Sequence, residues 1–165
     1  MIRNLTYKLR HTGLLILTLG LWVWACSPSK NIVDEQFNSI DESGWAWDSV
    51  TEFQFNIEDT STYYLLSCGL RIRSNYTYSN IWLLYELEGP GLQQQNQFEI
   101  ELSDQTGRWK GQGKSNLITF LQPFLDRIAF KAGTYTLRIK QNMRDEQLKG
   151  VSDVGFQLVR GKPIL

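Results

Sequence analysis

The strongest constraint on the fold is a period-two alternation of apolar and polar residues that recurs along the chain. In residues 52–58, Phe53, Phe55 and Ile57 alternate with polar residues. Successive side chains of a strand point to opposite faces, so this period is typical of half-buried strands. Stretches rich in turn-forming residues separate such runs. The predicted strands are residues 52–58, 63–73, 81–88, 97–102, 124–130, 133–141 and 153–160, with a short irregular edge strand within 103–115.

Seven or eight strands at spacings near ten residues predict an all-β protein, an antiparallel β-sandwich. An eight-stranded jelly roll is favoured over a closed barrel. One or two helical turns are expected over 116–121, before Pro123. Trp45 and Trp47 mark the start of the domain, and their i, i+2 spacing predicts that both close over one end of the core.

The N-terminus has the pattern of a bacterial lipoprotein signal. Three basic residues precede 13 uncharged residues, 13–25, and Cys26 directly follows the small residue Ala25. In this pattern the peptide is cut before Cys26 and its thiol is acylated. The alternative, an uncleaved anchor helix, is disfavoured because about 20 apolar residues are needed to span a bilayer. We therefore expect a signal peptide over 1–25, a lipidated Cys26 with a flexible tether over 26–44, and the sandwich domain over 45–165.

Charge argues against nucleic-acid binding. Three of the 17 basic residues and none of the 17 acidic residues precede Cys26, so the remaining 140 of the 165 residues carry a formal charge of −3. Binding to a phosphate backbone needs a clustered basic face. Neither Arg71 with Arg73 nor the group of Arg108, Lys110 and Lys114 predicts such a face.

Cysteine and histidine usage removes several classes of enzyme. The chain has two cysteines, and a lipidated Cys26 leaves Cys68, which lies in an apolar run and is expected to be a buried thiol. The one histidine, His11, lies within the signal. The mature domain thus lacks the residue needed for Ser-His-Asp or Cys-His hydrolysis and for histidine-ligated zinc or iron.

Other patterns that carry chemistry are weak. Glu86 with Glu88, and Glu99 with Glu101, share strand faces and could serve glycoside hydrolysis, but alternation with core residues favours a solvated face. The loop 104–107 has too few oxygen ligands for a dedicated calcium site. The glycines of 107–113 do not match a phosphate loop. No catalytic residue, metal ligand or cofactor is therefore predicted.

Aromatic residues at strand ends and in loops offer a binding surface. Exposed rings on a sandwich stack on sugars or form protein hot spots, whereas buried ones close the core. Tyr76 and Tyr78 share a face in a polar loop, so at least one is expected to be exposed. The candidate partner or ligand surface comprises Arg71, Arg73, Tyr76, Tyr78 and Trp109.

Several stretches resemble one family. The run 70–83 (LRIRSNYTYSNIWL) is similar to the signature of the gliding-motility lipoprotein family GldH of Bacteroidetes. The stretches 53–55, 59–60, 104–111, 133–135, 141–144 and 150–155 agree with it. Thr77 stands where proline is expected in that family's tyrosine loop, which implies a less rigid loop here.

The resemblance implies an outer-membrane lipoprotein of the gliding and type IX secretion apparatus, on a membrane face that stays undecided. It brings no catalytic residues, and only Cys26 carries over as a functional position. The first hypothesis is thus a lipid-anchored, non-enzymatic protein that binds other envelope proteins. The second is a surface glycan-binding lipoprotein that uses Tyr76, Tyr78 or Trp109.

Overall fold

A computed structural model describes residues 31–114 and 116–164. The predicted signal peptide over 1–25 and the lipidated Cys26 lie outside the described residues. No helix in the described part of the chain is long and apolar enough to cross a membrane. The strands are β1 (Ile32–Ser39), β2 (Trp45–Ala46), β3 (Thr51–Ile57), β4 (Thr62–Arg73), β5 (Asn80–Gly89), β6 (Leu92–Glu101), β7 (Gln112–Lys114), β8 (Leu117–Ile128), β9 (Gly133–Gln141), β10 (Gln147–Leu148) and β11 (Val151–Pro163).

These strands form two antiparallel sheets and one small pair. The five-stranded sheet has the order β1-β11-β4-β8-β7, the four-stranded sheet β3-β9-β5-β6, and β2 pairs with β10. Among the eight strands of seven or more residues, the first pairs with the last and the second with the second to last. This nesting is the jelly-roll arrangement. The predicted all-β sandwich of jelly-roll type is confirmed.

The core lies between the two sheets and is rich in aromatic rings. Phe55 of β3 contacts Tyr135 of β9 in the same sheet, with centroids 5.6 Å apart. It also contacts Phe156 of the facing sheet at 5.4 Å. Phe130 packs edge-on against Tyr135 at 4.7 Å. Such pairs each contribute about 0.5–1.5 kcal/mol beyond the burial of their area. The alternation along β3, β9 and β11 places these rings on the faces that meet in the core.

The tether predicted over 26–44 is wrong for residues 32–39, which form β1. This strand pairs with β11 from Ile32↔Val159 to Ser39↔Asp153. Phe37 holds β1 in place by packing its ring directly on Gly69 and Gly155. A side chain at either glycine would collide with that ring. The domain therefore begins at or before residue 32 rather than at residue 45.

Two other predictions are wrong. The helical turns predicted over 116–121 are absent: residues 117–121 begin β8, because Ile118 and Phe120 face the core while Leu117 and Leu121 lie on the outer face. Trp45 is buried as predicted, but Trp47 is 62% exposed, because β2 ends at Ala46 and the chain turns there.

The edges of β1 and β3 are joined by side chains, and we call this side of the sandwich the β1–β3 flank. The Gln36 side-chain amide donates to the Gln54 carbonyl oxygen at 2.9 Å. The Asn38 amide donates to the Glu52 carbonyl oxygen at 3.5 Å. Carbonyl groups at the β3 edge, which would otherwise be free to pair with another chain, are thus occupied by β1.

Candidate binding surface

Arg71 and Arg73 lie at the end of β4, on the outer face of the five-stranded sheet. The Arg71 guanidinium lies 3.9 Å from the centre of the Phe37 ring, a cation–π contact. Arg73 contacts Glu42 at 3.4 Å. Both therefore face outward, as predicted, and Arg71 also covers the aromatic ring that docks β1.

Tyr76 and Tyr78 have different roles in the loop after β4. Tyr76 is buried, and its hydroxyl donates to the Asn80 carbonyl oxygen at 3.2 Å. Tyr78 is 37% exposed, and its hydroxyl donates to the Asp145 carboxylate at 2.9 and 3.0 Å. The prediction that at least one ring is exposed is confirmed, and Tyr78 is that ring.

The pKa values of both tyrosines are raised. For Tyr76 the main cause is burial, and the charge of Asp145 adds to it. For Tyr78 the main cause is the hydrogen bond to the Asp145 carboxylate, which is retained only while the hydroxyl keeps its proton.

Trp109 lies in the segment that follows β6. It forms an isolated bridge with Ser103 and is half-buried against the core. Lys110, the next residue, donates its N–H to the Leu102 carbonyl oxygen at 2.8 Å and forms an ion pair with Glu101. Trp109 thus covers the end of β6, and it offers less of its surface than a fully exposed ring.

The largest exposed rings surround residues 142–147, and we call Trp47, Tyr78 and Trp82 the aromatic rim. The Trp47 N–H donates to the Glu146 carbonyl oxygen at 3.0 Å. The Asn142 N–H donates to the Trp82 carbonyl oxygen at 2.8 Å, and Tyr78 reaches the same segment through Asp145. One short segment therefore contacts the backbone of Trp47 and Trp82 and the hydroxyl of Tyr78, three residues from distant parts of the sequence.

A buried glutamine fixes this segment. Gln141 is 2% exposed, and its amide donates to the Asp145 carbonyl oxygen at 2.8 Å. Its side-chain oxygen accepts from the Met143 N–H at 2.7 Å. A satisfied polar group inside the fold rigidifies the loop that it serves. The segment that contacts the aromatic rim is thus ordered by the fold itself, and an ordered surface lowers the entropic cost of binding.

Trp82, Trp47 and Met143 were missing from the surface predicted from sequence. Trp82 lies on the outer face of β5, as its parity in the strand predicts, and is 36% exposed. That parity was the available signal. Met143 belongs to the segment 142–147, whose contact with Trp47 follows only from the pairing of β2 with β10, which places residues 45–46 beside 147–148.

The carboxylates that could have served catalysis are paired with cations or amides. Arg138 contacts Glu52 at 2.8 Å, Glu88 at 2.9 Å and Glu86 at 3.5 Å. Its hydrogen bonds to Glu88 and Glu52 raise the pKa of the guanidinium. Glu99 accepts a hydrogen bond from Asn80 at 2.6 Å. These carboxylates therefore form ion pairs and hydrogen bonds on the strand faces of the sheet.

Residues 31–114 and 116–164 contain no group of three or more His, Cys, Asp or Glu side chains suited to hold a metal ion. Cys68 is fully buried, as predicted, and burial raises the pKa of its thiol to about 12. The thiol is therefore protonated at neutral pH and is a poor nucleophile.

Comparison with known proteins identifies the family. The sequence profile of the GldH lipoprotein family matches residues 32–158. This chain belongs to the GldH lipoprotein family. The match begins at the first residue of β1 and ends within β11, so it spans both sheets of the sandwich.

Two relatives extend the likeness to whole proteins. The gliding motility lipoprotein GldH of Flavobacterium johnsoniae is 28% identical over 159 residues, covering 92% of this chain and 97% of the relative. A GldH homolog of Christiangramia forsetii is 28% identical over 141 residues, covering 80% and 86% respectively. The GldH family is a family of gliding-motility lipoproteins and not a known enzyme family.

A solved structure, the VP2 subviral particle of infectious bursal disease virus, aligns with a TM-score of 0.34 and 15% identity. The alignment covers 78% of this chain and 30% of that one.

Proposed function

We propose that this GldH lipoprotein is anchored in the outer membrane through a lipidated Cys26. There it acts as a non-enzymatic, protein-binding component of the gliding and type IX secretion apparatus. Membership of the GldH family carries the proposal. The basic, apolar and small-residue pattern that ends at Cys26 supports the anchor independently. A thioether-linked diacylglyceryl group with an N-acyl chain exceeds the two signals that stable anchoring needs.

The extent of β1 shortens the tether in this proposal. Cys26 precedes Asn31 by five residues, and an extended chain advances at most about 3.6 Å per residue. The start of the described domain therefore lies within about 18 Å of the lipidated residue. A domain held so close to the membrane meets partners that are themselves at the membrane.

Protein binding is supported by the aromatic rim. Exposed tryptophan and tyrosine are enriched at the centres of protein interfaces, because they bury a large area at a small cost in side-chain entropy. The mature chain is also mildly acidic, which suits partners with basic surfaces.

Exposed rings also favour a second function, glycan binding at the cell surface. Tyr78 contacts Asp145, Trp82 contacts Asn142, and both have exposed rings that could stack on sugars. In this alternative the same aromatic rim serves a carbohydrate rather than a protein.

The anchor is tested by fractionating cells that produce the Cys26→Ser variant. We expect a folded domain that is no longer held by the membrane, while Ser27→Ala, the neighbouring control, stays in the membrane fraction. A Cys26→Ser protein that still fractionates with the membrane and supports spreading would refute the anchor.

The two functions are separated by a pull-down of the lipidated protein from cross-linked cells beside a glycan array. We expect secretion or motility components to be enriched and the array to stay blank. The reverse pattern would refute the protein-binding role and support the glycan-binding one. Gene deletion, scored for both spreading and secretion, then shows which process depends on the protein.

A further inference from the structure

The sandwich has a second side, bounded by β6 and β8, which we call the β6–β8 flank. β7 pairs with β8 only at residues 117–119. β6 pairs with β5 from Asn80↔Glu101 to Gly89↔Leu92, and the described residues supply no strand for its other edge. Glu99 and Glu101 of β6 and Gln122 of β8 line a recess of about 320 Å³ between the two edges.

The direction of the free backbone groups of β6 can be read from one hydrogen bond. The Gln97 N–H donates to the Asn96 side-chain oxygen at 2.8 Å rather than to β5. Backbone groups alternate in direction along a strand, so the odd-numbered residues of β6 point their N–H and C=O groups away from β5. Gln93 and Gln95 therefore present N–H and C=O groups at the edge, and Gln97 presents its C=O group.

Features that block strand pairing protect the other edges but not this one. β8 carries Pro123 and two register shifts, and Arg127, within one of these shifts, has a positive φ of 54°. β1 carries a register shift near Asp34 and lies against β3. β6 runs in unbroken register, and residues 92–98 contain no proline and no charge. Proline, charge, bulges and short length are the devices that keep edges from pairing.

The seam beneath β6 is apolar at both ends, with Gln94 and Asn96 on the same face between them. Phe98 of β6 stacks on Phe124 of β8 with centroids 5.0 Å apart and an interplanar angle of 11°. Both rings are only partly buried, and Leu92 is partly buried at the other end of β6. A strand added beside β6 would place alternate side chains over this seam and the others beside Gln95, Gln97 and Glu99.

We propose that the β6 edge binds an extended segment of another envelope protein by strand addition. The segment has apolar residues at alternate positions and a basic residue opposite Glu99. The inference rests on the proposed anchoring through Cys26, and it names the surface that the protein-binding role uses. The Gln97 side chain also accepts from the Asn142 amide at 3.2 Å, so the edge adjoins the aromatic rim.

A second copy of this chain fits the edge less well because of the lipid anchor. Two β6 edges related by two-fold symmetry run antiparallel, so the copies point in opposite directions. Asn31 lies at the same end of the sandwich as the hairpin before β6, as a series of contacts shows. The Arg160 N–H donates to the Asn31 carbonyl oxygen, and Arg160 forms an ion pair with Asp59. The Tyr64 hydroxyl donates to the Asp59 carbonyl oxygen. Tyr64 packs on Phe130 and Phe130 on Tyr135, whose hydroxyl donates to the Pro90 carbonyl oxygen.

Antiparallel copies would therefore hold their N-terminal ends at opposite ends of a ten-residue strand, about 33 Å apart. With a tether of at most about 18 Å, both lipids reach one membrane surface only if β6 lies nearly parallel to that surface. A strand from a different protein has no such constraint, and it is the occupant to which the proposal commits.

The test uses the full, lipidated chain in living cells, with a photo-crosslinking amino acid at residue 93, 95 or 97 of β6, or at residue 54 of β3 as the control. We expect the three β6 positions to capture successive residues of one peptide from another protein, and position 54 not to capture it. Adducts with a second copy, scattered adducts, or none at the β6 positions would each overturn the proposal.

Two variants sharpen the test, with the probe at residue 97. Gln95→Pro removes an outward N–H, and Gln93→Lys/Gln95→Lys places charge on the edge without altering the backbone. Loss of a ladder hydrogen bond predicts that adduct yield falls about tenfold, while Gln54→Lys leaves it unchanged. An undiminished yield in the double-lysine variant would overturn the proposal. Membrane fractionation of the same cells reports the anchor separately, so adducts lost with an intact anchor refute only strand addition.

Discussion

The two sides of this sandwich differ in how the backbone groups of their edge strands are satisfied. At the β1–β3 flank, amide side chains from β1 occupy backbone carbonyls of β3, and Phe37 locks β1 onto Gly69 and Gly155. At the β6–β8 flank, β6 ends the sheet with free backbone groups above the partly buried Phe98 and Phe124. A fold that closes one flank with side chains, and leaves at the other a regular strand without charge over residues 92–98, has a defined place for a partner strand.

The largest expected effect comes from unlocking the β1–β3 flank. A side chain at Gly155 would lie 2.2 Å from the Gln36 carbonyl oxygen and 2.7 Å from the Phe37 ring. Gly155→Val should therefore lower the free energy of unfolding by about 3 kcal/mol, measured by denaturant titration. Gly107→Ala, in a turn where an added Cβ meets nothing within 4 Å, should cost only about 1 kcal/mol, for its positive φ. Equal losses would contradict the locking role of Phe37.

The next effect compares neighbouring positions of β6. Asn96 pairs with Tyr85 of β5 and directs its backbone inward, whereas Gln95 directs its backbone outward. Asn96→Pro should cost about 2 kcal/mol through a lost ladder bond, and Gln95→Pro less than about 1 kcal/mol. Thermal or denaturant unfolding measures both. A reversed order would show that the free edge of β6 has been assigned to the wrong residues.

A smaller effect is expected from removing one side-chain bond at the β1–β3 flank. Gln36→Ala leaves the Gln54 carbonyl oxygen without its donor and should lower stability by about 1 kcal/mol. Gln95→Ala on β6 is the matched substitution and should change stability by less than about 0.5 kcal/mol. If both cost the same in denaturant titrations, the two flanks do not differ in closure.

The smallest effect concerns the aromatic rim and pH. The hydrogen bond to Asp145 raises the pKa of Tyr78, so the folded form holds that proton more tightly than the unfolded chain does. The contribution of this bond is present below the ordinary tyrosine pKa of about 10 and is lost as pH rises through the raised value. Absorbance titration should show that Asp145→Asn lowers the pKa of Tyr78. An unchanged or higher value would mean that the bond does not form in solution.

The sequence predicted the sandwich because most strands have one face in the core and one in solvent. Period two placed Phe53, Phe55 and Ile57 correctly, and it placed Trp82 on the outer face of β5. The same logic failed for β1. Its one large aromatic, Phe37, packs on the outer face against two glycines that are distant in sequence, so no local alternation marks the strand.

Two further misses have a similar cause. The apolar positions of residues 117–121 resemble a helical face, yet Leu117 and Leu121 lie on the outer face of a strand whose other face holds Ile118 and Phe120. The glutamine-rich start of β6 has no alternation at all, and its pairing with β5 depends on the hairpin at residues 89–91. The pairing of β8 with the distant β4 and the pairing of β6 with β5 across a tight hairpin thus both lack a local alternation that would mark them in the sequence.

Residue-resolved amide hydrogen exchange on the full chain tests the openness of the β6 edge most directly. In the isolated protein, the Gln93 and Gln95 amides should exchange at least about a hundredfold faster than the Gln94 and Asn96 amides, which donate to β5. Alternating protection along β6 is the expected result. Uniform protection of residues 93–96 would show that the edge is already occupied and would contradict an open β6–β8 flank.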